Sequence, residues 1–247
     1  MSKVVSTVSS LAIVSSLLMA GGDIAAVEPI MPEVVVNDSW DYSASLYLWA
    51  SAIGGTTANG DDVDISFSDI LDNLDFGYMG NFGAKKGKWT FETDVLYLKV
   101  SGEPDAPLPI EDIQLKAWVV TPYAAYNVVE SDQWSLDLLA GARYLYMKSQ
   151  ITLPIAEVSD SDTSWNGIVG IKGNYKLNEK WFMPFTFDVG SGDADITYQA
   201  LAGVGYKYEN FDLIAGYRYL KWEFDDAFVG FSDLDLSGPI IGAKFRF

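Results

Sequence analysis

From Trp40 to the terminal Phe247 the apolar side chains recur at every second position. A period of two is the signature of strands with unlike faces, and it excludes amphipathic helices, whose period is 3.6. The clearest stretch is Trp134 to Met147. One parity reads Trp134, Leu136, Leu138, Ala140, Ala142, Tyr144, Tyr146, and the other carries Asp137, Gly141 and Arg143. Phe211 to Tyr219 repeats it, with Phe211, Leu213, Ala215, Tyr217 and Tyr219 against Asp212, Gly216 and Arg218. Asp137-Leu-Leu-Ala-Gly-Ala-Arg143 aligns with Asp212-Leu-Ile-Ala-Gly-Tyr-Arg218. The likeness is one of strand type, because no short fixed spacing recurs between the two, as a solenoid requires.

Ten such segments follow one another, near 40–55, 77–86, 88–101, 111–128, 133–150, 164–177, 180–190, 197–208, 211–224 and 234–247. Strands of globular domains average about 5 to 6 residues, and a tilted membrane-spanning strand needs about 9 to 11. The connections alternate. Lys86-Gly87-Lys88, Glu130-Ser131-Asp132, Leu177-Asn178-Glu179 and Glu209-Asn210 are tight. Thr56–Phe76, Gly102–Ile110, Leu153–Thr163 and Asp225–Asp233 are long and acidic, and Ser191–Ile196 is shorter. Tight turns at one end and long loops at the other are the pattern of a transmembrane β-barrel, with turns on the periplasmic side.

A soluble all-β sandwich would also alternate. Two features favour the membrane. Trp89, Trp134, Tyr175, Trp181, Tyr208 and Phe211 stand beside the tight turns, as an interfacial girdle would. Lys116, Arg143, Lys172, Lys207, Arg218, Lys244 and Arg246 lie inside strands on the less apolar parity. In a dry core those charges would be costly, and the opposite aromatic face would meet water. Composition agrees by exclusion. With 34 acidic against 16 basic side chains, the net charge of −18 argues against nucleic-acid binding. There is no Cys and no His, so disulfides and His or Cys metal sites are excluded. Residues 1–26 read as an export signal: Lys3, an apolar stretch from Val4 to Ala20, then small residues, with cleavage after Gly22 or after Ala26. Residues 27–39, with Pro29 and Pro32, read as an extended periplasmic lead-in, and residues 40–247 as one barrel domain.

With these residues in place, the chain resembles the bacterial outer-membrane β-barrel proteins, in particular small porin-like barrels to which no function is assigned. Phe247, with Phe245, Ala243 and Ile241 on one parity, resembles the C-terminal signal read by the barrel-assembly machinery. Tyr198–Tyr206 followed by Asp212–Leu220 is similar to the penultimate hairpin of many small barrels, and Ser66–Leu74 to one of their loops. The resemblance implies an antiparallel up-and-down barrel in the outer membrane, partnered by outer-membrane lipids and, during biogenesis, by the assembly machinery. It implies no cofactor. Enzymes of this fold resemble one another in using a His base, which this chain lacks. Pro122, Pro184 and Pro239 fall inside segments, and proline removes a ladder donor. Eight or twelve strands therefore remain open beside ten.

Few residues could carry chemistry. Glu92 and Asp94 share a face about 7 Å apart, a spacing that a glycosidase-like pair tolerates; carboxylates inside a barrel more often pair with lysines and arginines. The acidic run Asp61–Asp69 lacks the glycine and glutamate of an EF-hand, so no metal site is assigned. Phe67, Ile70, Leu71 and Leu74 recur at helical spacing behind Ser66 and Ser68, which predicts a short helix packed on the rim or folded into the lumen. The lumen is expected to be lined by Trp49, Glu92, Asp94, Lys116, Asp137, Arg143, Lys172, Asp188, Asp212, Arg218, Lys244 and Arg246, together with Tyr47, Asn81, Gln114 and Gln199. Such a set forms either a bracing network of ion pairs or a narrow pore with charged walls. The functional expectation is correspondingly double: a passive channel for ions or small polar solutes, or a non-conducting envelope protein acting through its outer loops.

Overall fold

The computed structural model describes residues 39–102 and 112–247. The signal, most of the lead-in and the Gly102–Ile110 loop expected above fall largely outside the described residues. Twelve strands and one short helix follow in order: β1 (Asp41–Trp49), β2 (Ala52–Thr57), β3 (Asp62–Ile65), α1 (Phe67–Asp72), β4 (Leu74–Lys86), β5 (Trp89–Gly102), β6 (Asp112–Glu130), β7 (Trp134–Leu153), β8 (Ala156–Lys176), β9 (Trp181–Gly192), β10 (Ile196–Lys207), β11 (Phe211–Phe228) and β12 (Phe231–Arg246). All pairings are antiparallel between neighbours, and β1 pairs with both β4 and β12, which closes the sheet. Among the described residues no helix is long and apolar enough to cross a membrane.

The barrel has ten strands, because β1 and β2 are one strand. Trp49 faces Ile240 and Ala52 faces Ser237, which is the same register on β12. The break between them lies opposite Pro239, which accepts a hydrogen bond from the Ala50 amide at 2.9 Å but has no N–H to return. Pro122 and Pro184 act alike. The β6–β7 ladder skips from Val120–Tyr144 to Tyr123–Gly141, and the β9–β10 ladder from Ala202–Phe185 to Gly205–Phe182, without change of register. Each proline costs hydrogen bonds and leaves the strand count intact. β3 stands outside the ring as a hairpin partner of β2.

The expected turns form: 131–133, 177–180 and 208–210 link their strands, and Gly87 takes a positive φ of 57° in the fourth. The expected long acidic loops need correction. Pro154-Ile155 and Val229-Gly230 are two-residue turns, and residues 153–163 and 225–233 are mostly strand. The alternation of Ser159-Asp160-Ser161-Asp162-Thr163 simply continues the ladder into water. β7 runs nine residues past Tyr144, about 30 Å along the strand.

Two rings of aromatic contacts circle the wall. Near the turns, Trp89–Tyr126 (4.9 Å), Trp134–Tyr175 (4.6 Å), Trp181–Tyr206 (4.9 Å) and Phe211–Phe245 (5.8 Å) form one. Tyr97–Trp118 (4.4 Å), Tyr144–Trp165 (4.7 Å) and Tyr198–Tyr219 (5.8 Å) form the other. From Trp89 to Tyr97 is eight residues, about 26 Å along β5 and roughly 20 Å after tilt, comparable with the band of about 25 Å between the girdles of a membrane barrel. Leu138, Val169, Phe187, Val204 and Ile241 point outward and exposed between the rings. The protein is a closed antiparallel β-barrel whose wall has the form of a membrane-spanning one.

Candidate functional site

At the outer ring the barrel turns inside out. Below it, on β11, the outward parity is apolar: Phe211, Leu213, Ala215, Tyr217, Tyr219. Above it the inward parity is: Leu220, Trp222 and Phe224 are buried, while Lys221 and Glu223 face out. On β12 the switch falls at Gly238, with Leu234 and Leu236 buried inside above and Ile241 and Phe245 exposed outside below. The physics is direct. Between the rings the outside meets lipid and the inside may be polar. Beyond the membrane the outside meets water, so the inside must hold the hydrophobic core. The barrel therefore has two storeys.

The lower storey is filled by charges paired across the lumen. The repeat recognised in the sequence puts Arg143 on β7 and Arg218 on β11 at corresponding positions. Arg218 donates to Gln199 Oε1 (2.8 Å), Tyr47 Oη (3.1 Å) and Asp94 Oδ2 (2.9 Å). Its guanidinium lies 4.7 Å from the Trp49 ring centre, a cation–π contact. Arg143 donates to Asp188 Oδ1 (2.6 Å) and Thr197 Oγ1 (3.0 Å), and Gln199 Nε2 donates to Asp188 Oδ2 (3.0 Å). One connected network thus joins Asp94, Tyr47, Arg218, Gln199, Asp188, Arg143 and Thr197. Lys172 Nζ reaches Glu92 Oε2 at 2.5 Å and Tyr123 Oη at 3.1 Å, with Lys244 at 3.7 Å from Glu92. Tyr123 Oη also donates to Glu92. Nearer the turns, Arg246 grips Asp212 with both terminal nitrogens, and Asn127 donates to Asp137 at 2.7 Å.

Eleven of the twelve lumen residues expected from the sequence point inward. Lys116 does not. It shares its parity with Trp118 and Tyr126, which are exposed on the outer surface, and it pairs across the sheet with Lys99 and Lys148. It stands beyond the outer ring, where outward positions are polar, so its charge meets water. Gln114 is outward for the same reason and donates to Ser101 at 3.2 Å. Glu92 and Asp94, the carboxylate pair singled out in the sequence, are both engaged by cations and tyrosines. A cavity of about 420 Å³ remains beneath Arg218, with Glu92, Asp137, Lys172, Asp212, Lys244 and Arg246 beside apolar residues such as Phe182 and Phe185 in its lining.

The upper storey was not read from the sequence. Trp49, Ile53, Leu96, Val119, Leu145, Met147, Leu220, Trp222, Phe228, Leu234 and Leu236 pack into one buried cluster. Ile70 of α1 joins it, so the helix lies on the rim and sends one side chain inward. Ser66 and Asp69 form a reciprocal capping box, which uses the carboxylate that the acidic run might have offered to a cation. The signal for this storey was the change of apolar parity along β11 and β12.

Among the described residues the wall is interrupted between β1 and β4. The β1–β4 ladder ends at Leu46–Gly80. Above it β4 is paired with β5 alone, and the β1/β2 strand with β12 and, higher, with β3. The Trp49 amide donates across the gap to Met79 Sδ at 3.2 Å. Behind the gap lies an apolar chamber of about 590 Å³. Its lining includes the inward Leu98, Leu115 and Met147, the outward Leu46, Leu48 and Ile241, and Phe67, Ile70 and Leu71 of α1.

No protein-family model matches the chain, and no curated protein matches its sequence. Several solved structures are similar to it in fold. Neisserial surface protein A is 16% identical over 84% of this chain and 97% of its own, with a TM-score of 0.41. The attachment invasion locus protein Ail of Yersinia pestis is 14% identical over 84% and 98%, with a TM-score of 0.42. The translocator domain of the autotransporter NalP from Neisseria meningitidis is 14% identical over 85% and 89%, with a TM-score of 0.40.

Proposed function

We propose that this outer-membrane barrel is non-conducting, and that it works at the cell surface through its outer storey. One observation carries the reading. Arg143, Trp49 and Arg218, which any water path along the axis has to pass, are 0%, 2% and 3% exposed. Ion pairs close the lumen at that level and the hydrophobic cluster stoppers it above. A buried pair resists opening, because separating its members leaves charges without partners. The outer storey is built as a soluble β-protein is, with acidic outer faces such as Glu223, Asp233 and Asp235. That form suits a partner met outside the cell.

The narrow-channel reading keeps one supporting feature, the cavity of about 420 Å³ below Arg218, whose lining includes Glu92, Lys172 and Arg246. Osmotic swelling of vesicles containing the folded protein separates the two. The proposal expects no entry of small sugars or salts above that of empty vesicles, and swelling that scales with protein content overturns it. Phe245 and Phe247 remain proposed as the assembly signal. Phe245 faces out from β12, and the Phe247 backbone pairs with Tyr42 at 3.0 Å in both directions, so the last strand also closes the ring.

A further inference from the structure

We propose that the chamber behind the β1–β4 gap takes a single alkyl chain directly from the outer leaflet of the membrane. Three observations point to one occupant. First, the lining is predominantly apolar and holds no charged residue, with Leu98, Leu115 and Met147 at its inner wall and only Ser51 and the rings of Tyr47 and Tyr78 carrying hydroxyls, so it offers little to a charged or strongly hydrated group. Second, the lining crosses the wall. Leu46, Leu48 and Ile241 face the lipid, and they line the same cavity as residues inside the barrel. The chamber is therefore continuous with hydrocarbon and not with the water of the lumen, from which Trp49 and Arg218 separate it. Third, the opening is where the sheet lacks its ladder, so no backbone rung has to break for a chain to pass. The volume, about 590 Å³, falls within the ordinary range of small-ligand sites, roughly 300 to 1,000 Å³. An unoccupied apolar space of this size beside the acyl layer would be filled by what adjoins it, since water gains no partners there.

Gly77 supplies the test. It lines the chamber on β4, and a Cβ built on it meets nothing closer than 3.8 Å, so a side chain there projects into open space without straining the wall. Ala117, across the chamber on β6, supplies an independent filling site. The full chain, folded into phosphatidylethanolamine vesicles, is irradiated with hexadecanoic acid that carries a diazirine near its methyl end, and labelled residues are mapped by mass spectrometry. A second arm places the same diazirine chain in the phospholipid. The expected result is label on Leu98, Leu115 or Met147 as well as on lipid-facing Val169. Gly77→Phe and Ala117→Phe lose the chamber label and keep that on Val169, with heat-modifiable gel mobility verifying the fold. Chamber label in the second arm identifies a lipid's own chain as the occupant, and label confined to the first identifies an unesterified chain. Val169 labelled with the chamber silent in both arms overturns the proposal, as does chamber label unchanged in both filled variants.

Discussion

Arg218→Met is the perturbation that most sharply tests the lower storey. The substitution keeps an unbranched chain of similar length against Trp49 and removes the charge. It leaves the Asp94 carboxylate with the Tyr47 hydroxyl alone at 2.8 Å, and leaves Gln199 Oε1 without its guanidinium donor. Removing one member of a buried pair costs about 3 to 5 kcal/mol, because the remaining charge stays desolvated. Asp94 is 15% exposed and borders the lower cavity, where water can approach it, so the cost sits near the lower end, about 3 kcal/mol. The double variant Asp94→Leu, Arg218→Met removes both charges and is expected to cost clearly less than the two single changes summed, since a pair replaced by apolar groups leaves no orphan. Urea unfolding of the barrel in lipid vesicles, followed by tryptophan fluorescence, measures all three. A cost below about 1 kcal/mol for Arg218→Met would mean an exposed, weakly paired charge. Additive single costs would equally refute the network.

Other consequences are as specific. Gly238→Ala puts a Cβ 2.0 Å from the Ala50 carbonyl oxygen, beside the rung already lost to Pro239, and is expected to cost about 1 to 3 kcal/mol in the same unfolding assay. Leu138→Lys places a charge on the lipid face between the rings and should cost about 2 to 4 kcal/mol, whereas Lys116→Leu, beyond the outer ring, should change stability little. In the outer turn, the hydrogen bond and charge of Asp225, with that of Glu223, hold the Asp195 carboxyl above its ordinary value. The folded state then binds the extra proton, so this group's contribution to stability falls as pH rises upward from about 4. The unfolding midpoint of Asp195→Asn is expected to lack that dependence, and an unchanged profile refutes it.

The wall of the barrel was legible because lipid imposes period two on every spanning strand, and Asp137–Arg143 and Asp212–Arg218 announced even the two central arginines. Parity along a strand carries face but not height. Lys116 was therefore placed in the lumen, although its strand had already left the membrane. The same blindness hid the outer core: Leu220, Trp222 and Phe224 are apolar on the parity that holds Asp212 and Arg218 lower down, and only the level of the ring at Tyr219 tells the two regimes apart. The ten-strand count stands, and the prolines left eight or twelve open beside it only because a lost hydrogen bond looks like a strand end in sequence, whereas neighbouring rungs hold the register in the sheet. The gap beside Leu48 depends on which strands meet at closure, a non-local fact that no single segment records.

Single-channel recording of the folded protein in a planar bilayer addresses the closed lumen most directly. The account predicts a silent bilayer for the native chain, and for Arg218→Ala as well, because the cluster around Leu145, Leu220 and Trp222 still stoppers the lumen above the opened ion pair. Discrete steps from the native chain, with ion selectivity that reverses on Arg143→Glu, would contradict it and make the paired charges the lining of an open pore.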